Sequence, residues 1–195
     1  MEINNNVGLF FGSFNPIHNG HLMLANYMLA YGGMDEVWFV VSPQNPLKDK
    51  KSLLDDVVRL DMVYLAVGDF HPFKVVDIEF RMPKPSYTVD TLVRLSEQYP
   101  KRKFSLICGM DSLQSFHKWK NHQEIIKYYQ LVVYPRSNYT AGQWAKNPKV
   151  KFVDAPEIEV SSSFIRKAIA ERKDIPFFMP VQVYQYICKN GHYLK

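Results

Sequence analysis

Short apolar runs alternate along the chain with segments in which apolar residues recur every three or four positions. Apolar runs bounded by turn residues are typical of buried strands, and the longer spacing is typical of helices that bury one face. The predicted strands are Val7–Phe11, Val37–Ser42, Phe73–Glu79, Lys103–Cys108, Leu131–Tyr134 and Val150–Val153. Alternating strands and helices predict an α/β fold with a doubly wound parallel sheet and right-handed crossovers.

The segments between and after these strands are predicted to be helical. The first helix runs from Asn19 to Tyr31 and stops at the Gly32-Gly33 pair. The remaining helices are one capped within Ser52–Asp55 that reaches about Val67, one capped by Ser86 or Thr88 that ends at Tyr99, Asp111–Lys118, His122–Tyr128, Ser161–Glu171 and Pro180–Lys189. The length of 195 residues predicts one domain over 1–195, with a C-terminal helical part from about residue 161.

The predicted architecture indicates where a ligand would bind. In doubly wound sheets, ligands bind at the carboxyl ends of the strands, where the strand order reverses. The loops after Phe11, Ser42, Cys108 and Val153 are therefore the places to search for chemistry.

Composition narrows the class of protein. The net charge of +5 fits anionic partners, but the basic residues are dispersed, so we expect no nucleic-acid surface. Cys108 and Cys188 are isolated, which favours a reducing compartment. The apolar runs are far shorter than the ~18 residues of a membrane helix, and the N-terminus lacks the pattern of a signal peptide. These features predict a cytoplasmic protein without a membrane partner.

The loop after the first predicted strand reads Gly12-Ser13-Phe14-Asn15-Pro16-Ile17-His18-Asn19-Gly20-His21. Gly12 has no Cβ, so a ligand can approach the backbone closely. His18 and His21 stand three residues apart at the mouth of a helix, a spacing that places both on one helix face. Both imidazoles can therefore face one anion, which would also meet the unpaired amides of the first turn. The alternative is an ordinary turn with two solvent-facing histidines.

A second candidate lies near the other end of the chain, at Val160-Ser161-Ser162-Ser163-Phe164-Ile165-Arg166. Hydroxyls at a helix N-terminus offer caps and phosphate donors beside free amides. Arg166 follows Ser163 by three residues and Ser162 by four, so it can reach a phosphate as a fixed cation. The alternative is a serine cap with a surface arginine.

The first segment resembles the G-[ST]-F-[DN]-P-x-H-x-G-H signature of adenylyltransferases that share a Rossmann-like nucleotidyltransferase fold with class I aminoacyl-tRNA synthetases, and it matches at every position. The second is similar to the I-S-S-T-x-x-R motif of that superfamily, from which Val160 and Ser163 depart. The resemblance implies that His18, His21 and Arg166 stabilise charge on the phosphates of ATP. It also implies ATP-binding roles for Gly12, Ser13, Phe14, Gly20, Ser162 and Ser163.

Further segments resemble bacterial nicotinate mononucleotide adenylyltransferases. Ser86–Thr91 is similar to their S-Y-T-x-D-T element, and Gly109–Ser112 to a G-x-D segment that contacts the nucleotide, which implies ATP-binding roles for Gly109 and Asp111. Pro43–Lys48 is loosely similar to a P-P-H-K loop in which Lys48 is the matching residue, a candidate for charge stabilisation.

The segment His117–Lys120 matches the K-W-Y loop of the same family, except that Lys120 replaces the tyrosine. The resemblance implies that Trp119 stacks on a pyridine ring whose carboxylate is held by backbone amides near Thr88 and Lys120. The Lys120 side chain itself is expected to point into water.

The resemblance implies direct, in-line transfer of AMP from ATP to nicotinate mononucleotide, giving deamido-NAD and pyrophosphate. Mg²⁺ is expected to arrive with ATP, held by phosphates and waters rather than by a carboxylate cage. A homo-oligomer is possible. Alternative acceptors are phosphopantetheine and the amidated mononucleotide, and a further alternative is a nucleotide-binding regulator or RNA-binding module without catalysis.

Overall fold

The computed structural model describes residues 6–43 and 53–194, and within them six strands form one sheet. The strands are β1 (Asn6–Gly12), β2 (Glu36–Val41), β3 (Phe73–Val76), β4 (Lys103–Gly109), β5 (Gln130–Tyr134) and β6 (Val150–Phe152). Their order is β3-β2-β1-β4-β5-β6, and all neighbouring pairs are parallel. The winding direction reverses between β1 and β4, which confirms the predicted doubly wound α/β fold.

Seven α-helices accompany the sheet within the described residues. They are α1 (Asn19–Ala30), α2 (Asp56–Val67), α3 (Thr88–Gln98), α4 (Met110–Gln114), α5 (His122–Tyr128), α6 (Ser162–Ala170) and α7 (Val181–Asn190). None of these helices combines the length and apolar character needed to cross a bilayer.

Apolar layers cover both faces of the sheet. Because side chains alternate along a strand, β1 directs Leu9 to one layer and Phe10 to the other. The layer around Phe10 packs against α1, α2, α6 and α7, as at Met28 and Val63. The layer around Leu9 packs against α3, α4 and α5, as at Leu92. Burial on both faces leaves the ends of the strands as the places where loops can bind ligands.

The third predicted strand is shorter than the sequence pattern indicates, and its predicted end at Glu79 is wrong. β3 stops at Val76, and a 3₁₀ helix follows from Ile78 to Arg81. Asp77 leaves the extended conformation, and its carbonyl accepts from the Phe80 N–H at 2.9 Å. This turn places Glu79 in the interior, with 2% of its surface exposed.

Two predicted helix boundaries are also wrong. The helix expected over residues 111–118 ends at Gln114, where the Ser115 hydroxyl donates to the carbonyls of Asp111 and Ser112 and competes with helical bonding. A 3₁₀ helix covers residues 116–118 instead. Tyr87 is the N-cap of α3. Of the two expected caps, Ser86 donates its hydroxyl to Glu79, and Thr88 is the first residue of the helix.

Candidate active site

The loop between β1 and α1 is built around a buried aromatic ring. Phe14 is 3% exposed, and its ring packs edge-on against Phe10 and Phe39. A Cβ on Gly12 would lie 2.7 Å from Cζ of Phe14, so this position requires glycine. Since the Phe14 side chain belongs to the core, only its backbone is left to meet a ligand.

The two histidines of the first motif lie side by side at the start of α1. Their ring centroids are 3.7 Å apart with planes 27° from parallel. His18 is the N-cap residue, and its backbone N–H donates to Nδ1 of His21 at 3.2 Å. Because Nδ1 of His21 accepts, the neutral form of that ring carries its proton on Nε2. The structure thus brings the two rings together as the spacing predicts.

Burial controls the charge of His18. The residue is 5% exposed, and burial, assisted by the positive charge of Arg136, lowers its pKa to about 4. Among the side chains of the described residues, its Nδ1 and the hydroxyl of Ser13 are buried without a hydrogen-bond partner. Buried polar groups are normally paired, so each of these two atoms is a candidate for contact with a polar ligand.

The second motif is tied directly to the first. The Ser162 hydroxyl donates to the carbonyl of Pro16 at 2.8 Å, and Nη1 of Arg166 donates to the carbonyl of Asn15 at 2.8 Å. Nη2 of Arg166 donates to the hydroxyl of Ser163 at 3.2 Å. Ser161 caps α6, since its hydroxyl accepts from the amide of Phe164. The N-terminus of α6 therefore stands beside that of α1, although about 145 residues separate them.

A cavity of about 280 Å³ opens at the carboxyl ends of β1 and β4, where the strand order reverses. Six residues expected to bind nucleotide or acceptor line it: Gly12, Gly109, Asp111, Thr88, Trp119 and Lys120. Phe10 also lines it and contacts the ring of His21, with centroids 5.9 Å apart. The histidine pair and the N-terminus of α6, with Ser13, Gly20 and Ser163, accordingly lie beside the cavity rather than in its lining. Lys48 lies outside the described residues.

Glu79 forms part of the cavity wall, a position that no sequence motif signalled. Its two carboxylate oxygens accept from the hydroxyls of Ser86 at 2.6 Å and Thr91 at 2.8 Å. Burial raises the pKa of Glu79, although the hydroxyls of Ser86, Thr91 and Ser42 oppose the shift. The buried acid thereby holds the segment that leads into Thr88, the first residue of α3.

Lys120, which replaces the tyrosine of the K-W-Y loop, contacts two residues at the start of α3. Its Nζ lies 2.9 Å from Oδ2 of Asp90 and 4.5 Å from the ring centroid of Tyr87. The side chain is exposed, as expected, at 43%, but its ammonium is paired rather than free and spans from the Trp119 loop to the start of α3. The indole of Trp119 packs edge-on against Phe116, which fixes one wall of the cavity.

Arg136 is a second residue that the sequence did not signal. It follows β5, its guanidinium lies 5.3 Å from the ring centroid of Tyr134, and Nη1 donates to the carbonyl of Ile158 at 3.2 Å. Its charge acts on His18 across the gap between β5 and α1. Arg136 is a single arginine in a polar loop and forms no sequence pattern, so the sequence does not predict that its charge acts on His18.

Known proteins resemble this chain in sequence and in fold. The family model described as Cytidylyltransferase-like matches residues 9–168. A probable nicotinate-nucleotide adenylyltransferase of Flavobacterium johnsoniae is 48% identical over 97% of this chain and 99% of its own length. One from Christiangramia forsetii is 47% identical over 98% and 100%.

The fold is shared with a solved structure of Plasmodium falciparum nicotinic acid mononucleotide adenylyltransferase in complex with NaAD. The TM-score is 0.81 over 97% of each chain, with 21% sequence identity. At this identity the likeness concerns the fold, whereas the two relatives named above align with nearly the whole chain at 47–48% identity. Because these relatives are 47–48% identical over nearly its whole length, the chain belongs to the nicotinate-nucleotide adenylyltransferase family.

Proposed function

We propose that this protein transfers AMP from ATP to nicotinate mononucleotide, forming deamido-NAD and releasing pyrophosphate. The observation that carries the proposal is the position of the cavity. Gly12, the first residue of the first motif, lines it together with Thr88, Trp119 and Lys120, and the Ser162–Pro16 hydrogen bond holds the N-terminus of α6 beside that motif. Both substrates of an adenylyl transfer can therefore meet at one edge of the sheet.

The triphosphate of ATP would lie along the N-terminus of α1. Helix amides, the paired rings of His18 and His21, and the guanidinium of Arg166 supply donors there. Lys48 is proposed as a further cation. Gly12, Ser13, Phe14, Gly20, Ser162 and Ser163 shape the backbone around these donors, and Gly109 and Asp111 border the nucleotide side of the cavity.

The chemical step needs no covalent intermediate with the protein. A phosphate oxygen of the acceptor forms a bond to the α-phosphorus of ATP, and the bond from that phosphorus to the bridging oxygen breaks. The electron pair leaves with pyrophosphate. The protein contributes by aligning the two phosphates and by placing donors where negative charge grows on the leaving group.

The carboxylates of the cavity fit a Mg²⁺ ion that binds together with ATP. The carboxylates that line the cavity are Glu79, whose oxygens accept from hydroxyls, and Asp111. No group of three metal-ligating side chains occurs among the described residues. Mg²⁺ keeps several waters and binds through phosphates and one or two carboxylates, so with ATP bound Asp111 would be its protein ligand. When bound, the ion neutralises phosphate charge.

The acceptor ring would stack on Trp119, with its carboxylate directed to amides at Thr88 and Lys120. Since Lys120 Nζ is paired with Asp90, selectivity for the acid depends on backbone donors rather than on the ammonium. A carboxamide would turn its NH₂ toward the same donors and leave one unpaired. An unpaired buried group costs about 1–3 kcal/mol, and the lost charge adds to it, so we expect about a hundredfold preference for the acid.

The test is pyrophosphate release from ATP with each acceptor in turn: nicotinate mononucleotide, its amide and phosphopantetheine. CTP replaces ATP in a parallel series, and His21→Ala serves as the control for contaminating activity. Turnover with ATP and nicotinate mononucleotide, with kcat/KM far above that for the amide, supports the proposal. Faster turnover with another acceptor reassigns the substrate, and nucleotide binding without turnover favours a regulatory protein.

A further inference from the structure

Arg59 of α2 is fully buried, with 0% of its surface exposed, and lies outside both motifs of the candidate site. A guanidinium has five N–H donors, and here each one has an acceptor between 2.6 and 3.0 Å away. The acceptors are the carbonyls of Ser13, Ser42, Pro43 and Leu54 and the carboxylate of Asp56. Every donor is therefore used within the protein.

These acceptors belong to three different parts of the fold. Ser13 follows β1 in the first motif, Ser42 follows β2 and lines the cavity, and Leu54 precedes α2. Nη1 alone joins the first two, at 2.6 Å to the Ser13 carbonyl and 2.9 Å to the Ser42 carbonyl. Arg59 thus links the two loops that leave neighbouring strands at the edge where the cavity opens.

The direction of these carbonyls matters for a phosphate site. In a trans peptide the C=O and the following N–H point to opposite sides, so a Ser13 carbonyl held toward Arg59 turns the Phe14 N–H away from it. Carbonyl oxygens repel phosphate, whereas amide N–H groups attract it. The hydrogen bond from Arg59 to the Ser13 carbonyl therefore fixes the direction in which the Phe14 N–H points.

The acceptors of Arg59 show that this residue orders backbone rather than neutralises charge. Taking a guanidinium out of water is costly, so a buried arginine needs an acceptor for each of its donors. Only one of the five acceptors of Arg59, Asp56, is a carboxylate, and its side chain is 25% exposed. The remaining donors serve backbone oxygens, which an apolar residue would leave unpaired.

We propose that Arg59 is a positioning residue for the adenylyl transfer, one that fixes the residues directly after β1 and β2, Ser13 and Ser42–Pro43, in the geometry that receives ATP. The inference rests on the proposed function. It complements the contacts on the other side of the same loop, where Arg166 holds the Asn15 carbonyl and Tyr193 donates to Oδ1 of Asn15.

The test is Arg59→Lys, because an ammonium keeps the charge but cannot span both loops. Its matched control is Arg102→Lys, which perturbs another arginine–carboxylate pair, Arg102–Glu36, at the amino ends of β2 and β4 and therefore away from the cavity. Tm, the Kd of a non-hydrolysable ATP analogue and kcat/KM for ATP are measured for both. We expect both variants to lose Tm. Only Arg59→Lys should lose kcat/KM, by about a hundredfold, because a loop misplaced by ~1 Å has that effect.

Equal Tm losses with kcat/KM and analogue Kd within twofold of wild type in both variants would overturn the proposal. A wild-type protein that binds the analogue without turnover refutes the proposed function. In that case, weaker analogue binding by Arg59→Lys alone still supports the positioning role, and unchanged binding overturns it.

A milder variant is available if Arg59→Lys does not fold. Asp56→Asn weakens the hydrogen bond that Nη2 of Arg59 donates to residue 56. The control is Lys84→Ala, which removes the other ionic partner of Asp56 and leaves Arg59 intact. We expect Asp56→Asn to lower kcat/KM for ATP about fivefold, the loss associated with weakening one hydrogen bond to a charged group. An equal loss in Lys84→Ala would contradict the proposal.

Discussion

Acid should destabilise this protein through one buried side chain, the imidazole of His18. The residue is 5% exposed, and burial lowers its pKa from 6.5 to about 4, with the charge of Arg136 as a lesser cause. The unfolded chain exposes the same ring to water, where its pKa returns to 6.5. Below pH 6.5 the unfolded state therefore binds a proton that the folded state does not, and stability falls as pH falls.

The size of the effect follows from the two pKa values. Above pH 7 both states are neutral at this ring, and it contributes no pH dependence. The proton linkage gives a loss in the free energy of unfolding of about 0.8 kcal/mol at pH 6, about 2 kcal/mol at pH 5 and about 3 kcal/mol at pH 4. The loss levels off below pH 4, where the folded state takes up the proton as well.

Urea unfolding at pH 7.5, 6, 5 and 4 measures this loss for the wild type and for His18→Gln. Glutamine keeps a polar side chain but does not titrate, and the other ionisable groups are shared, so the difference between the two curves isolates His18. We expect the wild type to lose about 2 kcal/mol more than the variant between pH 7.5 and pH 5. A difference that stays constant with pH would refute the claim that His18 is held neutral.

Three further predictions concern the site. Gly20→Ala should lower kcat with little change in Tm, since its Cβ would lie 3.1 Å from Nδ1 of His18 and displace that ring; steady-state kinetics and a thermal melt test this. Lys120→Ala and Asp90→Asn should each raise KM for the acceptor about two- to fivefold, the range of an exposed ion pair, and 0.5 M salt should have the same effect on the wild type. His21→Ala should lower kcat by about 10²–10³ while the Kd for ATP changes far less, because a preorganised donor acts mainly on the transition state.

The sequence predicted those parts of the site that lie on single short segments. The pairing of His18 with His21 follows from their spacing at a helix start, and the position of Gly12 at the end of β1 follows from the apolar run before it. The alternation of strands and helices also predicted that the cavity would open at the carboxyl edge of a doubly wound sheet. Local spacing and periodicity are sufficient for features of this kind.

Features that depend on contacts between distant segments were not predicted. Glu79 lies at the end of a predicted strand, whereas its burial depends on hydroxyls 7 and 12 residues further along. The interaction of Lys120 with Asp90 spans 30 residues, and that of Arg59 with the Ser13 carbonyl spans 46. No pattern within one segment encodes such distances, because the partner is chosen by how the elements pack.

The closeness of the two phosphate motifs is also a consequence of topology. β6 lies at the edge of the sheet, three strands away from β1, a distance of about 14 Å at ~4.8 Å per strand. Residues 153–161 between β6 and α6 have no regular secondary structure, and nine residues can span up to about 30 Å. Ile158, on this path, approaches Gly20 and accepts from Arg136, so the segment runs back across the carboxyl edge toward α1. The loop after β6 therefore contributes to the site not by lining the cavity but by carrying Ser162 to the Pro16 carbonyl, where the hydrogen bond joins the two motifs.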